Sequence, residues 1–190
     1  SIIYVNPTAN GLQDGSSWTN AFTSLEPAIN LAKAKDEIWV AAGVYVPLNN
    51  LKPFTLNQDV VWWGGFPNAG NPSFADRDAS SNKSILSADV NQDDNSNNVL
   101  SYADNYDHIV LMGEVNAGSW IDGFVLEGAN QSAIQQTIVL SNRINVLNCE
   151  FRENESAAVF SESSKFTGAL FRDCFFHNQR GEVIVGIGDN

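Results

Sequence analysis

The sequence predicts an all-β protein, a parallel β-helix (solenoid) in which short strands stack in successive coils. Three observations lead to this fold class. The 190 residues include 23 Asn, 18 Ser and 14 Gly, whereas only 17% are charged, and such a composition is typical of turn-rich β proteins. Short runs of β-branched and aromatic residues alternate with these turn-forming residues. The second half of the chain repeats with a period near 25 residues.

The first half is predicted to contain short strands interrupted by one helix. The predicted strands are Ile2–Val5, Glu37–Ala41, Val44–Val46, Asp59–Trp63 and Ser84–Ser87. Residues 21–34, in contrast, place apolar side chains at helical spacing, with Pro27 near the first turn. Asn20 or Thr19 is suited to be the N-cap. The segment therefore predicts one amphipathic helix in an otherwise β chain.

The second half is predicted to repeat a unit of two strands. The first strand is predicted at Ile109–Leu111, Ile138–Leu140, Ala158–Phe160 and Val183–Val185, and the second at Ile121–Val125, Leu147–Phe151 and Arg172–Phe176. Three sets of residues in the second strand align as equivalents: Asp122, Asn148 and Asp173; Gly123, Cys149 and Cys174; and Val125, Phe151 and Phe176. One unit is too small to bury its own apolar face, so the units must stack on a common core.

The two cysteines, Cys149 and Cys174, are predicted to point into that core from neighbouring coils. Alternation along a strand places each Cys and the Phe two residues later on the same inward face. Because stacked coils lie roughly 4.8 Å apart, the thiols would form a ladder of small apolar side chains. A disulfide is the alternative in an oxidising compartment.

Charge and hydropathy exclude several classes of function. The net charge is −12, from 10 basic and 22 acidic residues, so phosphate backbones and anionic lipids would be repelled. No run of 18 apolar residues occurs, and the sequence therefore predicts no transmembrane helix. A hydrophobic content of 43% is too high for a disordered acidic tail. We therefore expect a folded protein that binds neither nucleic acid nor a membrane surface.

The two ends of the sequence lead to an expectation about the whole protein. The chain begins at Ser1 and its single methionine is Met112, so a processed or excised chain is expected. Residues 182–190 have the composition of an unfinished strand. We therefore expect the chain to be the N-terminal part of something longer, covalently continuous with further coils.

Several short segments of the chain resemble a known family. They are Tyr4–Pro7, Asp14–Trp18, Ala21–Phe22, Asp36–Tyr45, Trp63–Phe66, Arg77–Asp78 and Ser84–Asp89. Together they resemble the N-terminal region of right-handed parallel β-helix proteins of the pectate-lyase-like superfamily. The coils that follow resemble the repeats of polymorphic outer-membrane proteins. Such openings are common on secreted and cell-surface proteins of Bacteroidetes-type bacteria, often ahead of a C-terminal signal for type IX secretion and anchoring.

The resemblance implies a right-handed coil and a location outside a bacterial cell. Residues 1–96 would form an N-terminal cap with the first coils, and residues 97–190 would form the regular coils. An open end of a β-helix exposes an unpaired sheet edge and an apolar core, so the amphipathic helix is predicted to cover that end. Trp18 and Trp39 are then predicted to pack beneath or beside the helix.

The stretch Asp89–Asn98 is the candidate metal site. Oxygen ligands at Asp89, Asn91 and Asp93, with Asp94 adjacent, suit a hard cation such as calcium. The loop is not an EF-hand, because it lacks the Gly at the sixth position and the Glu at the twelfth. A solvated turn rich in Asn and Asp is the alternative interpretation.

Trp62, Trp63 and Phe66 form the candidate ligand-binding set. Exposed aromatic rings stack on sugar rings, so these side chains are candidates to hold a glycan. Trp62 and Trp63 point to opposite faces of a strand, so one is predicted to lie inside and the other outward or under a loop. Packing in the core or beneath a loop is the alternative for these rings.

Catalytic residues are not predicted. The column of Asp122, Asn148 and Asp173 has an amide in its middle, which suits a hydrogen-bonded ladder better than a general acid and base. We therefore predict a non-catalytic secreted or cell-surface protein that acts in adhesion or binds a glycan or surface partner. The alternatives are a polysaccharide lyase or glycoside hydrolase whose catalytic coils lie beyond residue 190, or a pure scaffold module.

Overall fold

The computed structural model describes residues 1–48, 52–94, 99–113, 115–136, 145–161 and 170–186. Over these ranges the chain forms short strands, one α-helix and two 3₁₀ segments. The strands are β1 Ile2–Val5, β2 Glu37–Ala41, β3 Gly43–Tyr45, β4 Phe54–Leu56, β5 Val61–Phe66, β6 Ser84–Ser87, β7 His108–Met112, β8 Trp120–Asp122, β9 Phe124–Glu127, β10 Ser132–Gln136, β11 Asn145–Leu147, β12 Glu150–Arg152, β13 Ala157–Ser161, β14 Leu170–Arg172, β15 Phe175–His177 and β16 Ile184–Gly186. The helix is α1 Leu25–Leu31, and the 3₁₀ segments are Phe74–Asp76 and Val99–Asp104.

The strands form three parallel sheets. Sheet A has the order β1-β2-β5-β8-β11-β14, sheet B the order β3-β6-β9-β12-β15, and sheet C the order β4-β7-β10-β13-β16. From β2 onward, consecutive strands enter sheets A, B and C in turn and then begin again at sheet A. From β2 to β13, each strand therefore pairs in parallel with the strand three places later in the chain, whereas β1 pairs with β2. This mostly β architecture is consistent with the predicted solenoid.

The segment predicted as the second strand of each repeat forms two short strands, one in sheet A and one in sheet B, which meet at a corner between the two sheets. Gly123, Asn148 and Asp173 occupy this corner with φ angles of 81°, 50° and 55°, a left-handed conformation that Gly, Asn and Asp adopt most readily. The register pairs Asp122 with Leu147 and not with Asn148. The predicted equivalence of Asp122 with Asn148 and Asp173 is therefore wrong by one residue. The residue equivalent to Asn148 and Asp173 is Gly123, because the left-handed corner sets the alignment.

The same one-residue shift changes which side chains stack on one another on the inward face of sheet B. Phe124 takes the place predicted for Gly123 beside the two cysteines, and Leu126 takes the place predicted for Val125 beside Phe151. Burial raises the pKa of the inner thiol, that of Cys149. Both cysteines are free, so the unbridged ladder is the alternative that this structure adopts.

One strand of sheet C lies earlier in the chain than the sequence pattern indicates. The predicted strand at residues 138–140 falls outside the described residues, and β10 instead pairs with β7 on one side and β13 on the other. Ser132 of β10 lies 24 residues after its partner His108 and 25 before its partner Ala157. Coil length therefore sets the position of this strand, although its sequence contains two Gln residues and is less apolar than residues 138–140.

The helix is shorter than predicted. It spans Leu25–Leu31 with Ser24 at the N-cap position, and not residues 21–34 with a cap at Asn20 or Thr19. The reason is that Phe22 is extended and forms a parallel bridge with β1, so the helix cannot begin before this contact ends.

The buried face of α1 joins the main core at one end of the sheets. Leu25, Ala28 and Ile29 are its buried residues. They lie against β1 and β4, which are the end strands of sheets A and C. No helix among the described residues combines the length and apolar character that a membrane span requires.

Two apolar clusters lie on opposite faces of sheet A. The main core contains Ile38 and Trp62 together with the buried face of α1. A second cluster, which we call the outer aromatic cluster, consists of Trp18, Trp39, Ala41 and Phe66, with Tyr4 and Trp63 packed against it. Trp18 and Trp39 therefore belong to a different cluster from α1, and the prediction that they pack beneath or beside the helix is wrong. Strand alternation is the cause, since Ile38 and Trp39 must point to opposite faces.

Candidate functional site

An acidic cluster lies beyond the end of β6. It consists of Asp89, Asp93 and Asp104, whose carboxylate oxygens come within 4.8 Å of one another. Asp89 is only 8% exposed, and Asp104 ends the second 3₁₀ segment. Asp89 and Asp93 belong to the predicted calcium set, whereas Asp104 was missed. Asp104 lies outside the loop in which the ligands were predicted, and the spacing of ligands within that loop gives no information about residues of another segment.

The other two predicted ligands, Asn91 and Asp94, border the acidic cluster. The backbone N–H of Asn91 donates to Oδ2 of Asp104 at 3.0 Å. Oδ2 of Asp94 accepts a hydrogen bond from Nδ2 of Asn105 at 2.8 Å. Burial and, to a lesser degree, the neighbouring carboxylates raise the pKa of Asp94 to about 6. The calcium prediction for this loop stays a prediction.

Two buried oxygens beside the acidic cluster have no hydrogen-bond partner. They are Oδ1 of Asp94 and Oδ1 of Asn105. Asn105 is 7% exposed, and its Nδ2 also donates to the carbonyl of Gly128. A buried oxygen without a donor costs about 1–3 kcal/mol, so a cation or a water molecule would be stabilised at these atoms.

The predicted aromatic set is divided between the two clusters of sheet A. Trp62 is fully buried in the main core, and Phe66 is fully buried in the outer aromatic cluster. Trp63 lies on the outer face and retains partial exposure, as the alternation of Trp62 and Trp63 predicts. The guanidinium carbon of Arg77 lies 5.1 Å from the Trp63 ring centroid, a cation–π distance. The glycan-binding prediction for these residues stays a prediction, with only Trp63 partly accessible.

Arg77 also fixes the loop between β5 and β6 to the corner of sheets A and B. Its guanidinium forms an ion pair with the buried carboxylate of Asp122. The amide of Asn148 donates to both oxygens of the same carboxylate at 3.1 Å. The carboxylate thus has partners from two different segments, and the loop is held in one position.

A network of ion pairs covers the outer face of sheet B. Arg152 contacts Glu127 at 2.6 Å and Glu150 at 3.2 Å. Glu150 is also contacted by Lys83 at 2.8 Å and His177 at 2.9 Å. Burial opposes ionisation of Glu150, but hydrogen bonds from Lys83 and His177 and the charges of Lys83 and Arg152 outweigh it and lower its pKa to about 2. The members of this network come from four successive coils, those of β6, β9, β12 and β15, so the network forms only when the coils stack.

A cleft of about 540 Å³ lies beside this network, at the corner of sheets A and B. Its lining residues are Arg77, Asp78, Ala79, Ser80, Lys83, Asn148, Cys149, Glu150, Asp173 and Phe175. Phe175 is 63% exposed. Sequence reasoning missed this ring, although a signal was present: once Phe176 is predicted to point inward, alternation requires Phe175 to point outward.

Comparisons with known protein families, with curated proteins and with solved structures find no match for this chain. The arrangement of its own residues is therefore the basis for the functional proposal that follows.

Proposed function

We propose that the chain is a non-catalytic binding module that acts outside a bacterial cell, in adhesion or in recognition of a glycan or another surface partner. The observation that carries this proposal is that six of the basic side chains among the described residues are paired with carboxylates. The paired groups are Arg77, Lys83, Arg152, Arg172, His177 and Arg180. A lyase or hydrolase needs an acid or base poised at its substrate, whereas side chains held in ion pairs with one another suit a rigid binding surface.

The proposal includes a right-handed parallel β-helix whose first end is capped by α1. Crossover connections between parallel strands of one sheet are right-handed in about 98% of cases. The contacts of α1 with the end strands of two sheets support the cap. The edge of β1 is also covered, since the Tyr4 N–H donates to the Gly15 carbonyl and the Tyr4 carbonyl accepts from the Phe22 N–H. Membership of the pectate-lyase-like superfamily and a Bacteroidetes-type origin are proposed from the sequence segments that resemble that family.

The proposal is tested by binding and turnover assays on the full chain. Immobilised glycans and bacterial or host cell surfaces supply the binding assay, and uronate polymers with calcium supply the turnover assay, followed by absorbance of unsaturated products and by reducing ends. We expect binding without product. Product formation would support the lyase or hydrolase alternative and contradict the proposal. An absence of both binding and product would instead support a scaffold.

We also propose that calcium binds the acidic cluster and stabilises the fold. Three carboxylates with oxygens within 4.8 Å of one another repel each other without a cation or proton between them. Carboxylate and amide oxygens are the ligands that calcium prefers, and the unpartnered oxygens of Asp94 and Asn105 lie beside the cluster. A calcium ion would stabilise the connection between β6 and β7.

Removal of calcium should lower the melting temperature. At a free calcium concentration one hundred times Kd, the native state gains about 2.7 kcal/mol, which corresponds to a rise of about 5–10 °C for a chain of this length. Asp104→Asn should abolish the difference between calcium and chelator, and so should Asp89→Ala combined with Asp93→Ala. Asp107→Asn, at an exposed residue outside the cluster, is the control and should keep it. A wild-type melting temperature unaffected by calcium would contradict the site.

A further inference from the structure

We propose that the cleft at the corner of sheets A and B binds a neutral sugar of a glycan, with Phe175 as the platform for the sugar ring. This inference rests on the proposed binding function and deepens it by naming the site and the class of ligand. The cleft is distinct from the aromatic set predicted from the sequence, in which Trp62 and Phe66 are fully buried.

The first argument is the exposed ring. Phe176 points inward and stacks on Phe151, with 4.8 Å between ring centroids, so its neighbour Phe175 must point outward. His177 lies beside Phe175 on the same face at 4.9 Å between centroids. The apolar C–H face of a pyranose packs on such a ring surface through dispersion and the ring quadrupole. A ring 63% exposed gains little from internal packing, and it is therefore available to a ligand.

The second argument is the set of polar groups around that ring. A sugar hydroxyl both donates and accepts hydrogen bonds, and the cleft offers both kinds of partner. The side chain of Lys83 is 42% exposed and that of Asp173 is 72% exposed, and the polar residues Ser80 and Asn148 also line the cleft. The volume of about 540 Å³ falls within the range of roughly 300–1,000 Å³ that small-molecule sites occupy.

The third argument is charge, which selects a neutral sugar over a uronate. The cleft contains three carboxylates, from Asp78, Glu150 and Asp173, and only two cations, from Arg77 and Lys83. Both cations already have carboxylate partners. A uronate carboxylate would therefore meet net negative charge and no uncommitted cation, whereas neutral hydroxyls can donate to the same carboxylates.

The fourth argument is that the wall of the cleft is preorganised. The loop between β5 and β6 is tied to the sheets near its middle and at its end, because the Asp78 N–H donates to the Gly65 carbonyl at 2.8 Å and the Gly43 N–H donates to the Lys83 carbonyl at 3.0 Å. The ion pair of Arg77 with Asp122 holds its middle. A fixed wall lowers the entropy that a ligand must lose on binding.

The experiment is calorimetric titration of the full chain with cellotriose, maltotriose, mannotriose and trigalacturonate. We expect at least one neutral trisaccharide to bind, and trigalacturonate to bind at least about tenfold more weakly or not at all. Phe175→Ala should weaken binding of the neutral trisaccharide at least about tenfold. Phe175→Tyr, which keeps the ring, should bind within about threefold of the wild type.

Leu12→Ala is the control for loss of an exposed apolar side chain, since Leu12 is 78% exposed and does not line the cleft. Its affinity should equal that of the wild type. A wild-type affinity in Phe175→Ala would overturn the cleft as the site but leave the proposed binding function standing. Tighter binding of trigalacturonate would overturn the neutral class. Binding of none of the four probes would overturn the inference, while the assays on glycan surfaces and cells would still decide the proposed function.

Discussion

Asp122 places a carboxylate at the corner of sheets A and B, where only 3% of the residue is exposed. A charge at such a position is costly unless it is paired and hydrogen-bonded. Arg77 supplies the opposite charge, and Asn148 supplies hydrogen bonds to both oxygens. The arrangement ties a loop of the first half of the chain to two later coils, and the same loop forms a wall of the proposed cleft.

Loss of Arg77 should therefore be strongly destabilising. Arg77→Met leaves the Asp122 carboxylate buried without its cation, and the free energy of unfolding should fall by about 3–5 kcal/mol. Arg180→Met is the matched control, because Arg180 pairs with Glu155 at the surface and such pairs contribute about 1 kcal/mol or less. Urea denaturation of both variants measures the difference. Equal losses in the two variants would contradict the structural role of the buried pair.

The same corner explains how far single residues can be predicted from the sequence. A repeat near 25 residues is visible, but the alignment that placed Asp122 with Asn148 is wrong because the left-handed corner requires Gly123 there. Backbone conformation, and not residue type, decides the equivalence. Asp104 was missed for a different reason, since its approach to Asp89 and Asp93 depends on tertiary structure.

At the scale of elements, the strands of sheets A and B were largely predicted from short apolar and β-branched runs. β10 was not, because its position follows from stacking between β7 and β13 and residues 138–140 are more apolar. β4 was also not predicted, and it is established by its pairing with β7. The existence of the helix was predicted correctly, but its first residue was not. The pairing of Phe22 with β1, which delays the start of the helix, is a tertiary contact.

The helix offers a test of its own contribution to stability. Leu25 is fully buried and belongs to the main core, whereas Leu31 of the same helix is 49% exposed. Leu25→Ala should lower the free energy of unfolding by about 2–5 kcal/mol through lost burial and a cavity. Leu31→Ala, the matched control, should change it by about 0.5 kcal/mol or less. Thermal or urea unfolding gives both values. If Leu25→Ala were as mild as its control, α1 would not serve as a packed cap.

At the scale of the whole molecule, three parallel sheets present three outer faces, and these faces differ. Sheet A carries the outer aromatic cluster, which is largely buried by the segments that cover it. Sheet B carries the ion-pair network, with the cleft beside Glu150. A cleft of about 240 Å³ that includes Asp89 and Asp94 also reaches Glu127 and Arg152 of the network. The proposed sugar cleft and the proposed calcium site therefore border the same face, and sheet B is the proposed binding face of the molecule.

The most direct test of a binding module without catalysis is a single calorimetric titration of the full chain with the neutral trisaccharides in the presence of calcium. Our account predicts heats that saturate as the site fills and a baseline that returns after every injection. Sustained heat after each injection, together with new reducing ends in the titrated sample, would show turnover of the sugar and would contradict it.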